Sequence, residues 1–575
     1  MSAHDLVIRG GTVVDGNGGA PRTADVAVDA GVVTAVGPGV GRGAREIDAD
    51  GAVVAPGFVD IHTHYDGQAT WDERLLSSAW HGVTTVVMGN CGVGFAPVVP
   101  EHRERLIELM EGIEDIPGTA LHEGLSWKWN SFEDYLSALE SRPHDIDFAA
   151  QVPHAALRVH VMGERAESGR AATDDDIAAM AKLARAGVEA GALGFTTSRT
   201  LNHRSITGEL TPSYDAGIDE LAGIAAELGA SGRGVLQLVT DFLDVDADFE
   251  VMLAMMRASG RPLSVSLAQS PLAPDTYREV LRRMAAVNAD GLQMRAQVAA
   301  RGVGLLMGLP CTLHPFMTNP VWQRLAGMPI PEQVAIMRDP AFKDEVLAAQ
   351  RKEKNNSLIG GRLIDKFNVM FELTDPPNYE PSLDESVAAR AARLGRTPEG
   401  LVYDLMLGDD GFAMVYVTSL NFAGGNLDAV HTMLTDANTI PGLSDGGAHV
   451  GTICDGSFPT TLLEHWVRDR DRDRIPVEFV VQRQARDTAR AVGLLDRGVL
   501  ATGYKADINV VDLDRVRLRR PQMSFDLPGG GRRLLQRAEG YRHTIVSGFE
   551  IYRDGEPTED LPGRLVRGAQ PAPAA

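Results

Sequence analysis

Over the first fifty residues, apolar and polar positions interleave in runs too short for helices. Leu6-Val7-Ile8-Arg9 runs into Gly10-Gly11 and resumes as Thr12-Val13-Val14-Asp15-Gly16, and a further pair of runs follows around 25–28 and 32–36. Glycine and aspartate punctuate them as hairpin turns do. The same texture returns at 506–512 and 544–548. Residues 1–56 and 500–560 are therefore expected to share one small β-sandwich, built from both ends of the chain. At Pro56 the pattern changes. Short apolar runs now alternate with stretches of helical period, such as 174–190 and 214–228. Eight candidate strands stand out, at 58–62, 84–88, 148–153, 192–197, 234–239, 263–268, 293–298 and 440–445. This is the signature of an α/β chain, and eight such units predict a distorted (β/α)8 TIM-like barrel over 57–499. Two connections, near 92–146 and 300–438, are too long for simple loops and are expected as lids or pocket walls at the barrel mouth. Within the second, 351–356 is rich in charge and asparagine and is expected as an exposed lid segment. Residues 561–575 are expected as a tail, frayed from Gly568 onward.

The candidate chemistry lies at the ends of these apolar runs. Phe58-Val59-Asp60-Ile61 ends in His62-Thr63-His64. Residues two apart on a strand share a side, so both imidazoles can aim at one point. That is half of a tetrahedral zinc site. The next candidate strand, from Thr84, ends in Gly89-Asn90-Cys91-Gly92 and presents a thiol, a strong zinc ligand when ionised. The last ends in Ser444-Asp445-Gly446, where a carboxylate can take the proton of a catalytic water. His154 follows the third strand and is a candidate contact for a tetrahedral intermediate. Arg199, just past the fourth, is a candidate fork for a substrate carboxylate. His203, His314, His449 and Asp241 are weaker substitute ligands. His81, before Gly82, reads as an imidazolium at a helix end. Trp80, Trp127 and Trp129 read as core or as walls of an acyl pocket.

Composition narrows the partners. The formal net charge of −23 excludes a broad basic footprint for nucleic acid or an anionic membrane. Three cysteines in 575 residues form no disulfide framework and fit a reducing compartment. The N-terminus, Met1-Ser2-Ala3-His4-Asp5, has no basic region leading into an apolar run, and no stretch approaches the ~20 apolar residues of a membrane span. The expectation is a cytoplasmic protein acting on a small molecule, without nucleic acid or membrane as partner, and assembled as a homo-oligomer.

The stretch from Pro56 to Pro97, the Ser444-Asp445-Gly446 element and the closing 498–507 resemble the amidohydrolase superfamily. His81-Gly82-Val83-Thr84-Thr85 followed by Gly89-Asn90-Cys91-Gly92 is similar to the N-acyl-D-amino-acid deacylases, the D-aminoacylases. The resemblance implies a β-sandwich plus a distorted barrel, zinc, and hydrolysis of an amide bond. It implies that His62, His64, Cys91 and Asp445 serve the metal, with Asp445 also the catalytic base. The family's histidines at the ends of the fifth and sixth strands have no counterpart here. Those strands read Val235-Leu236-Gln237-Leu238-Val239 and Leu263-Ser264-Val265-Ser266-Leu267. Gln269 stands where a lysine is usual, and 295–301 lacks the usual tyrosines. Two imidazoles, a thiolate and a carboxylate still suffice for one ion per chain, and Zn²⁺ suits mixed N, S and O ligation best. The leading expectation is therefore a zinc-dependent hydrolase of a linear, non-peptide C–N bond. A cyclic-amide hydrolase of the dihydropyrimidinase or hydantoinase kind is the alternative. Its usual fourth-strand lysine is missing from Leu193-Gly194-Phe195-Thr196-Thr197-Ser198. A non-catalytic scaffold on the same fold is the third reading.

Overall fold

A computed structural model describes residues 4–167, 169–350 and 360–574. The expected lid segment 351–356 lies outside the described residues. The two ends of the chain are joined in one nine-stranded sheet. Its seam is the antiparallel pairing of Val53–Pro56 with Ile508–Val511. The first strand, His4–Val13, branches: its first half pairs with Gly43–Asp48 and its second with Val53 and Val54. Leu6, Ile8, Val26, Val54, Ile508 and Ile545 bury their side chains together on this sheet. The hydrogen bonds thus draw strands from both ends into a single branched sheet.

Every expected central strand is present. We number them β1 (Phe58–Asp60), β2 (Val83–Met88), β3 (Asp147–Ala150), β4 (Val152–Pro153), β5 (Gly194–Arg199), β6 (Val235–Thr240), β7 (Leu263–Ser266), β8 (Met294–Val298) and β9 (Thr439–Pro441). The expected third strand is split at Gln151 into β3 and β4. The strands are parallel and form two arcs, β1-β2-β3 and β4-β5-β6-β7-β8-β9. The ladder does not run unbroken around the ring. Between β9 and β1 it is reduced to a parallel bridge, Thr63 to Gly446, with His64 N donating to Gly446 O at 2.7 Å. The helix expected at 174–190 spans Asp174–Ala190, and a capping box at Thr173 and Asp176 starts it. The helix expected at 214–228 starts later, at Ile218, and runs to Ser231. Val59, Ile61, Val87, Ala149, Val235 and Ile440 pack as one cluster on the inner face, forming an apolar floor.

Three features depart from the expectation. The second insertion is a packed unit with its own core rather than a loose lid. Val303–Met307, Met370–Glu372 and Val415–Leu420 form an antiparallel sheet, buried against Phe316, Val334 and Tyr403. From the C-terminal part, the hairpin Gln522–Leu527 and Gly531–Leu535 leaves the terminal sheet, and Leu534 N donates to Val450 O. The tail is docked, not frayed: Val566 N donates to Phe148 O, Gly568 N to Gly191 O and Gln570 N to Gly493 O. Leu565 and Val566 are buried there, which supplies the apolar term that holds it.

Candidate metal centre

His62 and His64 follow the end of β1, and Cys91 lies in the turn after β2. Candidate ligand atoms of all three lie within 4.8 Å of one another, and all three are buried. His62 Nε2 is 3.3 Å from Cys91 Sγ and 3.3 Å from Asp445 Oδ1, and His64 Nε2 is 3.6 Å from the same oxygen. The four residues singled out from the sequence thus meet at one point. Asp445 is the accessible member, with 23% of its side chain exposed against 1% for each imidazole.

The backbone that achieves this is unusual. Cys91, Asp445 and His449 all have positive φ, at 55°, 47° and 49°. Such conformations cost a non-glycine residue about 1–3 kcal/mol each and persist only where the surroundings impose them. Cys91 sits between Gly89 and Gly92, and Thr196 Oγ1 clamps that turn from β5, donating to Gly89 O and accepting from Gly92 N. A Cβ on Gly89 would come 2.3 Å from Gln151 O, so the turn can pass only as glycine. Asp445 N donates to His62 O, which pins Asp445 to the segment that carries the imidazoles.

Each imidazole is held from behind through Nδ1. His62 Nδ1 stands 2.6 Å from Gln297 Oε1, a hydrogen bond that leaves Nε2 facing the cluster. His64 Nδ1 faces Glu114 Oε1 at 3.3 Å. Glu114 is the last residue of a helix we call α1 (Arg103–Glu114), inside the first insertion. It is 1% exposed, and its other oxygen is 3.6 Å from His449 Nε2. Its carbonyl accepts from His449 N, so α1 is tied to the loop after Asp445. Glu114, Gln297 and Asp60, which accepts from Ser444 Oγ at 2.5 Å, were not expected from the sequence. Only Asp60 carried a signal, lying two residues before His62. Glu114 and Gln297 reach the site across 50 and 235 positions.

The electrostatics fit a cation. Among the described residues neither ring nitrogen of buried His64 has a hydrogen-bond partner, although a carboxylate stands near each. Burial pushes the Cys91 thiol up to about 12, with His64 opposing, so a bound cation is needed to hold it as thiolate. Burial raises Glu114 to about 7, again opposed by His64. Burial works against an ionised Asp445, yet His64, His62 and His449 together hold its carboxyl well below the usual carboxylate range. The donor set of two imidazole nitrogens, one sulfur and one oxygen is one that Zn²⁺ takes.

The other expected residues fall elsewhere. His154 is fully buried with both ring nitrogens engaged, by Thr197 Oγ1 at 2.8 Å and Glu220 Oε1 at 2.9 Å. Arg158 also grips Glu220. An imidazole so occupied has no free edge for a tetrahedral intermediate. Arg199 donates through Nη1 to Ala216 O, and among the described residues its Nε has no partner. Asp241 accepts from Thr200 Oγ1 and Leu201 N and so holds a loop. His314 meets Trp322 edge to face in the core of the second insertion. His203 bonds Ser198 Oγ and is pushed down to about 3, first by burial and then by His449 and His64, which places it in the field of the centre. His81 is not an imidazolium: burial lowers it to about 3, and its nitrogens face Thr460 Oγ1 and Gln536 O. Trp129 is core, donating to Phe95 O, while Trp80 and Trp127 are half-buried against the same core.

The role of Glu114 can be measured. Glu114→Gln keeps the shape but removes the charge behind His64. Partners of this kind are worth roughly 10–100-fold in metal affinity. Zinc affinity, read by competition with a chromogenic chelator, is expected to fall within that range. Unchanged affinity would reduce Glu114 to a packing residue.

A model described as the amidohydrolase family matches residues 45–552. The D-aminoacylase of Alcaligenes xylosoxydans xylosoxydans is 27% identical over 576 residues, covering 98% of this chain and 97% of the relative. The N-acyl-D-aspartate deacylase of the same organism is 28% identical, covering 98% and 95%. Among solved structures, the N-acyl-D-glutamate deacylase of Bordetella bronchiseptica, complexed with zinc and a phosphonate inhibitor, is 24% identical. It superposes with a TM-score of 0.64 over 98% of this chain and 99% of its own, so the two share a fold.

Proposed function

Because this chain belongs to the amidohydrolase family, we propose that it is a zinc-dependent deacylase that removes the acyl group from small N-acyl amino acids. The reading is carried by one observation: His62, His64 and Cys91 converge on a buried point beside the partly accessible Asp445 carboxylate. The full-length similarity to D-aminoacylase and N-acyl-D-aspartate deacylase supports the linear amide as substrate. In this reading the two arcs of parallel strands act as a distorted barrel, and the terminal sheet wraps as the sandwich beneath it.

His62, His64 and Cys91 would hold one zinc ion, with Asp445 as a fourth, displaceable contact. Zinc so held supplies Lewis acidity toward the scissile carbonyl and acidifies the attacking water. Asp445 accepts the proton of that water at a carboxylate oxygen. It then returns the proton to the departing nitrogen, which leaves as a neutral amine. Gln297 and Glu114 keep both Nε2 atoms facing the cluster. The hairpin 522–535 and α1 restrict water around it. The test is a panel of N-acyl-D- and N-acyl-L-amino acids, with hydantoin and dihydrouracil beside them, assayed before and after chelation. Hydrolysis of at least one linear member that is lost on chelation and restored by zinc is expected. Activity confined to the cyclic substrates would favour the alternative, and no zinc uptake would favour a scaffold.

A further inference from the structure

The inner face of the strands carries a belt of neutral hydrogen-bonding groups at the level of the ligands. It begins at Thr196, whose hydroxyl clamps the turn holding Cys91. It ends at Gln297, whose Oε1 meets His62 Nδ1 and whose Nε2 donates to Ser264 Oγ at 2.9 Å. Between Thr196 and Ser264 lies Gln237. In register it is the partner of both, pairing with Thr196 across β5 and β6 and with Ser264 across β6 and β7. Its neighbours Leu236 and Leu238 face the helices and pack in the main core, whereas Val235 belongs to the inner floor. Strand alternation therefore turns the Gln237 side chain inward, one layer above that floor. It is 1% exposed, and neither Nε2 nor Oε1 has a hydrogen-bond partner among the described residues.

A buried amide with both ends unbonded is costly, and native interiors rarely leave one so. The two ends also constrain what can satisfy them. Nε2 only donates and Oε1 only accepts. A carboxylate, which only accepts, would pair with Nε2 and face Oε1 across two like partial charges. An ammonium or guanidinium group would satisfy only Oε1. A neutral unit with one C=O and one N–H satisfies both ends together. The scissile carbonyl itself must turn toward His62, His64, Cys91 and Asp445, so the unit at Gln237 is a second one.

We propose that Gln237 is the recognition group for a second, uncharged carbonyl–N–H unit of the substrate. This deepens the deacylase reading and rests on it. The preferred substrate is then an acylated amino acid whose carboxyl is capped as an amide, or an acylated peptide, rather than one with a free carboxylate.

The experiment compares N-acetyl-leucinamide with N-acetyl-leucine, in both enantiomers, on the zinc-loaded protein. The wild type is expected to favour the amide in kcat/KM by about tenfold or more, the worth of one or two buried hydrogen bonds. Gln237→Met keeps the length and the unbranched shape but no donor or acceptor. It is expected to abolish the preference, bringing the ratio of the two kcat/KM values close to one. Gln237→Glu is a second variant, expected to reject the free acid more strongly than the wild type does. Equal or acid-favouring selectivity in the wild type, or selectivity unmoved in Gln237→Met, would overturn the assignment and leave Gln237 as a water-binding group. Failure of the deacylase reading shows differently, as no turnover of either compound. The subsite is then tested by calorimetric titration of propionamide against propionate, which needs no chemistry. Preference for propionamide that disappears in Gln237→Met is expected, and no preference overturns it.

Discussion

Asp445→Asn is expected to lower turnover by roughly 10²–10⁴-fold while zinc is retained, the usual worth of general acid–base catalysis. The substitution keeps the size of the side chain and one oxygen acceptor. It removes the charge that sits 3.3 Å from His62 Nε2 and 3.6 Å from His64 Nε2. In the proposed site His62, His64 and Cys91 would remain as three ligands, enough for a catalytic zinc site with an open position. The carboxyl of Asp445 is held well below the usual carboxylate range against its own burial, because His64, His62 and His449 surround it. That environment favours its ionised form, the state a proton acceptor needs. Rate and zinc content must be measured on the same preparation. Near-normal turnover with zinc bound would remove Asp445 from the mechanism. Loss of rate together with zinc would make it chiefly a ligand.

His64→Ala is expected to abolish stable zinc binding. The loss should exceed the roughly 10–100-fold that removal of an outer partner costs, because a direct ligand is gone. The variant also strips Glu114 of the imidazole that opposes its burial, and it leaves Cys91 without the group that draws its thiol down from about 12. Zinc per chain, measured after dialysis against a chelator that the wild type withstands, should fall close to zero, and activity should fall with it. Circular dichroism separates this from unfolding. Zinc retained at the wild-type level in a folded variant would place the ion elsewhere and remove His64 from the centre.

The sequence determined the class of fold, the positions of the strands and the four residues at the centre. Each of those features is local. Alternating apolar runs, glycine turns and a His-x-His after an apolar strand express backbone preferences that do not wait for the rest of the chain. Val53–Pro56 and Ile508–Val511, which show the same texture, pair in one sheet. Where the chain looked like a tail, local pattern misled. The anchoring of Gln570 on Gly493 is made by backbone groups that leave no mark in side-chain chemistry.

Tertiary structure alone decided the rest of the site. His154 ends an apolar strand as His62 nearly does. Yet Glu220 and Thr197, 66 and 43 positions away, take both of its nitrogens. Nothing in the sequence singles out Glu114, and only the docking of α1 brings it behind His64. The chain also gives no sign that Cys91, Asp445 and His449 adopt left-handed backbone. That conformation is imposed by contacts such as Thr196 on the Cys91 turn and His62 O on Asp445 N. Metal ligation is a matter of angles and distances within a few ångströms. Local sequence fixes which residue types end each strand, but the packing of elements far apart in the chain fixes which of them can point at one ion.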